Sequence, residues 1–461
     1  MGSGSYSWIS FLQARQALAQ RLDDPGNIYW ADAELGLYLN EALTVWQALT
    51  GYSRAPGTFN LSVGVPFYDI TTLLTGGAGN LLLTMKVTDA QVVTLMEYHL
   101  LEPPTIPWTG TTQFTLGNLT AVLQNARDNF LVETGSVITH STVNVPSPPD
   151  GRFQLDDHII DVRRVAWLPA APGAGLSSIP LWMSDEFASQ ANQPGWQQAP
   201  GTPEAVSIVA PPPLQVQLIP PPGANGSCDL LTVNAGATLN PATGVPLGIP
   251  TNFAWAVKWG ALALLLSQEG EDSDDFRAGY CRQRYEESCE VCRMMPVVMT
   301  AALNGVSVFP QSVGEFDAYR PTWAGSNGPP DAIGTCGQNM IAVAPPPIST
   351  PISVTMDVVQ NAVVPSADSD FVQIGREYFV AILDEAQHIA CFKSGGDEFA
   401  DTVPLHQNFI RAAANYNDRL KAMSIYLNSM GSQSEAEKKI RPRRESDAEV
   451  VTNARNARDN E

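Results

Sequence analysis

The chain has 461 residues, of which 44% are hydrophobic and only 16% charged, against roughly 25% charge in an ordinary soluble domain. That apolar content excludes wholesale disorder, and the length provides for two or three domains with separate cores. A formal charge of −21, from 26 basic and 47 acidic residues, excludes a protein that grips nucleic acid over its whole surface, because duplex DNA is itself a dense line of negative charge.

In chain order, the opening Met1-Gly2-Ser3-Gly4-Ser5 has neither a basic start nor an apolar run, so no secretory leader is expected. Trp8, Phe11, Leu12, Arg15, Ala19 and Leu22 recur at helical spacing, and Asp24-Pro25-Gly26 ends that run. A second helix, with Asp32 as its expected cap, places Leu35, Leu39, Ala42, Leu43, Trp46 and Leu49 on one stripe and stops at Gly51. Phe59 to Val63 alternates like a strand and is read as half of a strand pair. A third helix is expected from Asp89 to Leu101, ended by Pro103-Pro104, and a fourth from about Leu119 to Val132, ended at Gly135. From there the pattern changes to short β-branched runs separated by Pro and Gly, clearest at Val137-Ile138-Thr139 and from Ile159 to Val165. Helix resumes near Asn252. After a polar gap from Glu269 to Asp275, another helix runs from Phe276 to Met294. The apolar stretch at Leu262–Leu266 is too short to span a bilayer.

Beyond Met295 this pattern recurs. Trp196 stands ahead of Gly201-Thr202-Pro203-Glu204-Ala205 at the interval by which Trp323 precedes Gly328-Pro329-Pro330-Asp331-Ala332. Pro220-Pro221-Pro222 corresponds to Pro345-Pro346-Pro347. The strand that follows, Asp229 to Val233, corresponds to Val354 to Val358, with Val233 matched to Val358. Each copy then enters helices, near Asn252 and near Phe371. The expected fold is α+β: an N-terminal helical bundle with inserted antiparallel β-domains and return helices, built on an internal duplication. The expected segments are 1–134, a helical platform with a small strand pair; 135–295, a β-domain with return helices; 296–430, a second β-plus-helix module; and 431–461, a charged tail.

Constellations that carry chemistry are sparse. Gly76-Gly77-Ala78-Gly79-Asn80 lacks the Lys-Ser/Thr of a phosphate-binding loop and reads as a turn. Cys281, Cys289 and Cys292 share a helix face. Cys289 and Cys292 have the spacing of a zinc or redox pair, but no second pair accompanies them, so packing is the simpler account. His99, His140, His158, His388 and His406 are widely separated. Glu269, Glu271, Asp272, Asp274 and Asp275 lack the order of a calcium loop and read as a solvated connection. Trp196 and Trp323 read as plugs of β-domain mouths. Arg163-Arg164, in a strand, should send its two side chains to opposite faces. No catalytic residue, metal or cofactor is expected. Lys438, Lys439, Arg441, Arg443 and Arg444 form the largest basic cluster, which reads either as a solubilising tail or as a docking segment that orders on a partner.

The pattern Arg21-Leu22-Asp23, Tyr29-Trp30-Ala31-Asp32-Ala33-Glu34-Leu35 and Tyr38-Leu39-Asn40-Glu41-Ala42 resembles the opening helices of the head-to-tail adaptor (connector) proteins of tailed bacteriophages. The segments Gly201 to Ala205, Leu218 to Pro222, Ile249-Pro250 and Ala256-Val257-Lys258-Trp259-Gly260-Ala261-Leu262-Ala263-Leu264-Leu265 look like the β-domain and return helix of the same family. The resemblance implies a non-enzymatic virion protein of the neck or tail, assembled in the host cytoplasm. It implies a homo-oligomeric ring, usually a dodecamer, that joins the portal protein to tail or nozzle proteins and extends the channel for passing DNA, with the basic tail docking into the portal. The chain is longer than a minimal adaptor. Its second module would enlarge the ring or serve as a platform for tail fibres, and a tail hub or fibre-attachment protein is the alternative. A glycan-degrading tail enzyme would need two carboxylates facing each other, which no spacing here provides.

Overall fold

The computed structural model describes residues 8–74, 82–100, 114–146, 151–169, 178–209, 213–268, 274–349 and 351–430, with side chains as far as Asp418. The fold is α+β. Contact density divides it into a body ending at His406 and a second unit from Gln407.

Helix α1 (Phe11–Arg21) opens on a capping box in which Ser10 and Gln13 bond each other's backbone N–H. The expected stop at Asp24 has a specific cause, since its carboxylate accepts the N–H groups of Ile28, Tyr29 and Trp30. Helix α2 (Asp32–Thr50) ends at Gly51 in the left-handed region, φ 54°. Asp32 is not its cap: Glu34 accepts the N–H of Ala31, and Asp32 instead pairs with Arg15 of α1. There follow β1 (Arg54–Asn60), β2 (Phe67–Asp69) and one helical turn, α3 (Ile70–Leu73). The two strands expected to pair do not pair with each other, and their partners lie far downstream.

A second helical pair comes next, α4 (Asp89–His99) and α5 (Leu116–Thr134), and then β3 (Thr139–Val145), β4 (Arg152–Gln154), β5 (Ile159–Pro169), β6 (Ile179–Pro180) and β7 (Trp182–Met183). Helix α6 (Glu186–Asn192) crosses over to β8 (Ala205–Val209), which continues to β9 (Gln215–Ile219) and β10 (Gly226–Asn234). The return helices are α7 (Ala254–Leu266) and α8 (Asp275–Met294). The chain then forms β11 (Val298–Leu303), β12 (Val306–Val308), β13 (Pro310–Ser312), α9 (Val313–Tyr319), β14 (Ala332–Cys336), β15 (Met340–Ala344) and β16 (Ser353–Val359). It finishes with α10 (Arg376–Cys391), α11 (Gly396–Ala400) and α12 (Val403–Met430).

The sheets reveal the organisation. One set runs β3-β10-β5-β6 and β4-β9-β8-β7; the other runs β1-β16-β11-β12 and β2-β15-β14-β13. These are the same topology, with β1 and β2 standing where β3 and β4 stand. The segment from α4 to α8 is therefore an inner repeat inserted between β2 and β11 of an outer one. Both sets include a parallel pair joined through a helix, β7–α6–β8 and β13–α9–β14, so the β-domains are mixed rather than purely antiparallel.

The duplication extends to the helices. Helices α1 and α4 have 11 residues each, both with capping boxes, and α2 and α5 have 19 each. Both longer helices end in Thr-Gly, with the hydroxyls of Thr50 and Thr134 donating to the carbonyls of Trp46 and Phe130 at 2.7 and 2.6 Å. The Gly201–Pro222 bridge recurs as Gly328–Pro347. In the last strand, however, the match expected from sequence is wrong by one residue. A bulge separates the pairs Arg164–Leu231 and Val162–Thr232 in one ladder, and Thr300–Asp357 and Val298–Val358 in the other. Val358 is thus the counterpart of Thr232, not of Val233. With side chains alternating, only this register puts Leu230 and Met356 into matching cores. Each pair of sheets encloses its own apolar core, around Val165, Val216 and Leu230 in the inner repeat and Ala301, Ile341 and Met356 in the outer.

Candidate functional site

Two clusters of buried ionisable side chains join the two repeats in the helical layer. Lys258 on α7 donates to both oxygens of Glu41 on α2, at 2.7 and 2.6 Å, and to His99 Nε2 on α4 at 2.9 Å. Trp259 Nε1 donates to the same carboxylate. Lys258 and His99 are fully buried. Burial lowers the Lys258 pKa while Glu41 holds it up, and burial with the neighbouring Lys258 charge pushes His99 well down. Because the ammonium donates to Nε2, the imidazole is neutral with its proton on Nδ1.

A second cluster joins α8 to the outer repeat. Arg284 donates to Glu385 at 2.6 Å, and the other oxygen of Glu385 meets His406 at 2.7 Å. Burial opposes the Glu385 charge, but Arg284 and His406 outweigh it and hold the carboxyl far below the usual range. His388 lies between Tyr280, which donates to Nε2 at 2.6 Å, and Thr402, which accepts from Nδ1 at 2.8 Å and donates onward to the Phe399 carbonyl. Burial lowers the His388 pKa to about 3. These arrangements are ion pairs and fixed tautomers inside packed helices, and the chemistry they supply is attachment of one repeat to the other.

In the β layer, Arg164 on β5 makes a two-pronged contact with Asp317 on α9, at 2.6 and 2.9 Å, and reaches Asp229 at 3.1 Å. Trp323 Nε1 donates to Asp317, and Phe67 lies against both His140 and Trp323. Asn339 exchanges two hydrogen bonds with Ile138, and Gly337 brings its backbone onto that of Gly135 and Ser136. One outer face of the inner repeat, formed by β3, β10 and β5, thus sits on the β2–α9 end of the outer repeat.

The pairing registers show which kind of contact this is. The counterparts of Arg164, Asp229 and His140 are Thr300, Thr355 and Pro56. Those of Asp317 and Phe67 are Gln190, the fifth residue of α6 as Asp317 is of α9, and Arg152. All five counterparts are exposed. A two-fold contact would bury both sets at once, so the repeats meet head to tail.

Beside this junction lies a cleft of about 1030 Å³, lined by β6–β7 of the inner repeat, the start of α9, and the segments around Met295 and Gly337. Among the described residues that line it, the one carboxylate is Asp317, already paired with Arg164. Its two thiols, Cys292 and Cys336, are buried and pushed up by that burial to about 12. The cleft therefore offers guanidinium, methionine and aromatic surface rather than an activated nucleophile. Trp182 at its rim is 78% exposed, and Phe309, its counterpart ahead of β13, is 89% exposed.

The residues singled out in the sequence fall as follows. Cys281 and Cys289 are buried like Cys292, with their thiols pushed up by burial, and among the described residues no group of three potential ligands is placed to hold a metal. Asp274 caps α8 through the Arg277 N–H at 2.9 Å, while Glu269, Glu271 and Asp272 lie outside the described residues, as does the Gly76–Asn80 run. Arg163 and Arg164 do point to opposite faces, Arg163 to the Val132 carbonyl and Arg164 to Asp317. Trp196 and Trp323 are both buried. Lys438, Lys439, Arg441, Arg443 and Arg444 lie outside the described residues. Sequence reasoning did not single out Glu41 and Lys258 as partners, although both stand within the quoted motifs. A lone lysine amid the apolar run Ala254 to Leu266 was the available signal.

No protein-family model matches the chain, and no curated protein matches it.

Proposed function

We propose that the chain is a structural virion protein, a ring-forming head-to-tail adaptor that joins the portal to the tail and extends the DNA channel. The observation that carries this reading is the head-to-tail relation of its two repeats, since a heterologous contact is the kind from which rings are built. The net charge of −21 supports it further, because an acidic wall repels the DNA that slides past it. Buried ion pairs hold the helices of the two repeats together, which suits a scaffold. The alternative, a tail hub or fibre-attachment platform, draws support from Trp182 and Phe309, exposed in matching positions as sites for a partner.

Negative-stain microscopy and mass determination of the purified chain, alone and mixed with its cognate portal, test the reading. The adaptor predicts a ring seated on the portal, lost when the chain is cut after Gly431. Rings that ignore the portal and capture fibre proteins would replace it with the platform.

A further inference from the structure

The head-to-tail junction leaves two of its own surfaces unused. On the outer repeat, the sheet face that carries Pro56, Thr300 and Thr355 is exposed, whereas the equivalent inner face, with His140, Arg164 and Asp229, is covered. On the inner repeat, the α6 end that carries Arg152 and Gln190 is exposed, whereas the equivalent outer end, with Phe67 and Asp317, is engaged. We propose that the occupant of each surface is a second copy of this chain, so that the contact between chains repeats the contact within one.

The argument is continuity with an interface already present. A heterologous contact between two like units leaves the complementary halves free at opposite ends, and those halves fit each other wherever the pseudo-symmetry operation is applied again. The free ends are also chemically suited to it. Phe187 is 86% exposed and lies three residues before Gln190, hence on the same face of α6. Its counterpart is Gly314, which lines the cleft beside the internal junction, so Phe187 would enter the corresponding site on the next chain as an aromatic anchor. The receiving sheet is built at its outer face from Pro56, Thr58, Thr300, Ser353 and Thr355, all exposed, around the half-buried Asp357, which is the cross-strand partner of both Pro56 and Thr300. Its small side chains leave room for a docking helix, and the neutral amide of Gln190, which the equivalence brings beside Thr300, offers donors to the Asp357 carboxylate. Every chain then contributes two quasi-equivalent units, and an assembly of N chains shows 2N of them around its axis.

This deepens the proposed ring by naming its contact, and its test is separable from portal binding. Thr300→Arg and Gln190→Asp place the internal Arg164–Asp317 pair at the junction between chains. Gln190→Asp alone brings a second carboxylate beside Asp357 and is expected to weaken assembly at least tenfold in mass photometry of the full-length chain, whereas the arginine of Thr300→Arg alone is neutralised by Asp357 across the strand pair. The double variant is expected to assemble at least as tightly as the unmodified protein, since the two charges meet. Both positions are exposed within one chain, so unchanged circular dichroism and melting would show that folding is intact. A chain that stays monomeric at every concentration, alone or on the portal, overturns the proposal, as does assembly indifferent to Gln190→Asp. Rings that respond to these substitutions but do not bind portal support the contact and remove the adaptor role instead.

Discussion

Lys258 is in the middle of a helix that is apolar nearly all round, and the cost of burying an ammonium explains why it meets a carboxylate there. Removing one partner leaves the other charged and dry. Lys258→Met is expected to destabilise the protein by about 3–5 kcal/mol, and adding Glu41→Gln to recover much of that, because the amide still accepts from Trp259. Urea unfolding of the two single variants and the double reads the coupling directly. A second expectation concerns His388. Its folded pKa, about 3, is depressed below the ordinary value of about 6.5. The folded state therefore binds fewer protons than the unfolded chain, so this contribution is complete above pH 6.5 and is lost as pH falls from there toward 3. His99 shifts in the same direction. Stability should decline with acid across that window, and His388→Gln should reduce the slope between pH 6.5 and 4.5 by up to about 1.4 kcal/mol per pH unit. A slope unchanged by the substitution would show that His388 is not the titrating group.

Among the elements, those with a local signal were legible. Gly51 and Gly135 as helix ends, the Asp24 stop and the alternation of β5 all follow from neighbouring residues. What was missed depends on partners distant in the chain. Strands β2 and β4 have three residues each, too few to show a period, and nothing near β1 or β2 indicates that their neighbours lie beyond an inserted repeat. The strand after each triple proline was recognised, but its register is set by the bulge opposite, which composition does not reveal. Junction geometry also explains a glycine. Gly337 has φ +60°, and a Cβ there would lie 2.6 Å from the Gly135 carbonyl oxygen, whereas at Gly248, φ +70°, it would meet nothing within 4 Å. Both alanine variants carry the left-handed strain of about 1 kcal/mol. Gly337→Ala must also push the repeats apart, and is expected to lose at least about 2 kcal/mol more than Gly248→Ala in thermal unfolding.

For the whole molecule, the duplication was visible in the sequence as a linear order of landmarks, and the nesting was not. A strand order can be shared by two segments only when both are complete, and the outer repeat is completed by residues 54–69, read in sequence as part of a separate platform. The proposed contact surface was similarly hidden. Thr300, Thr355 and Gln190 are unremarkable residues until the register pairs them with Arg164, Asp229 and Asp317. The basic tail, by contrast, is legible from composition alone, as a candidate docking segment.

The most direct measurement is the mass and rotational symmetry of the purified chain in solution, alone and with its cognate portal. The account predicts closed rings whose mass is a whole multiple of 49.6 kDa, with angular density repeating at twice the number of chains. A 49.6 kDa species that stays monomeric at every concentration and on the portal would contradict it.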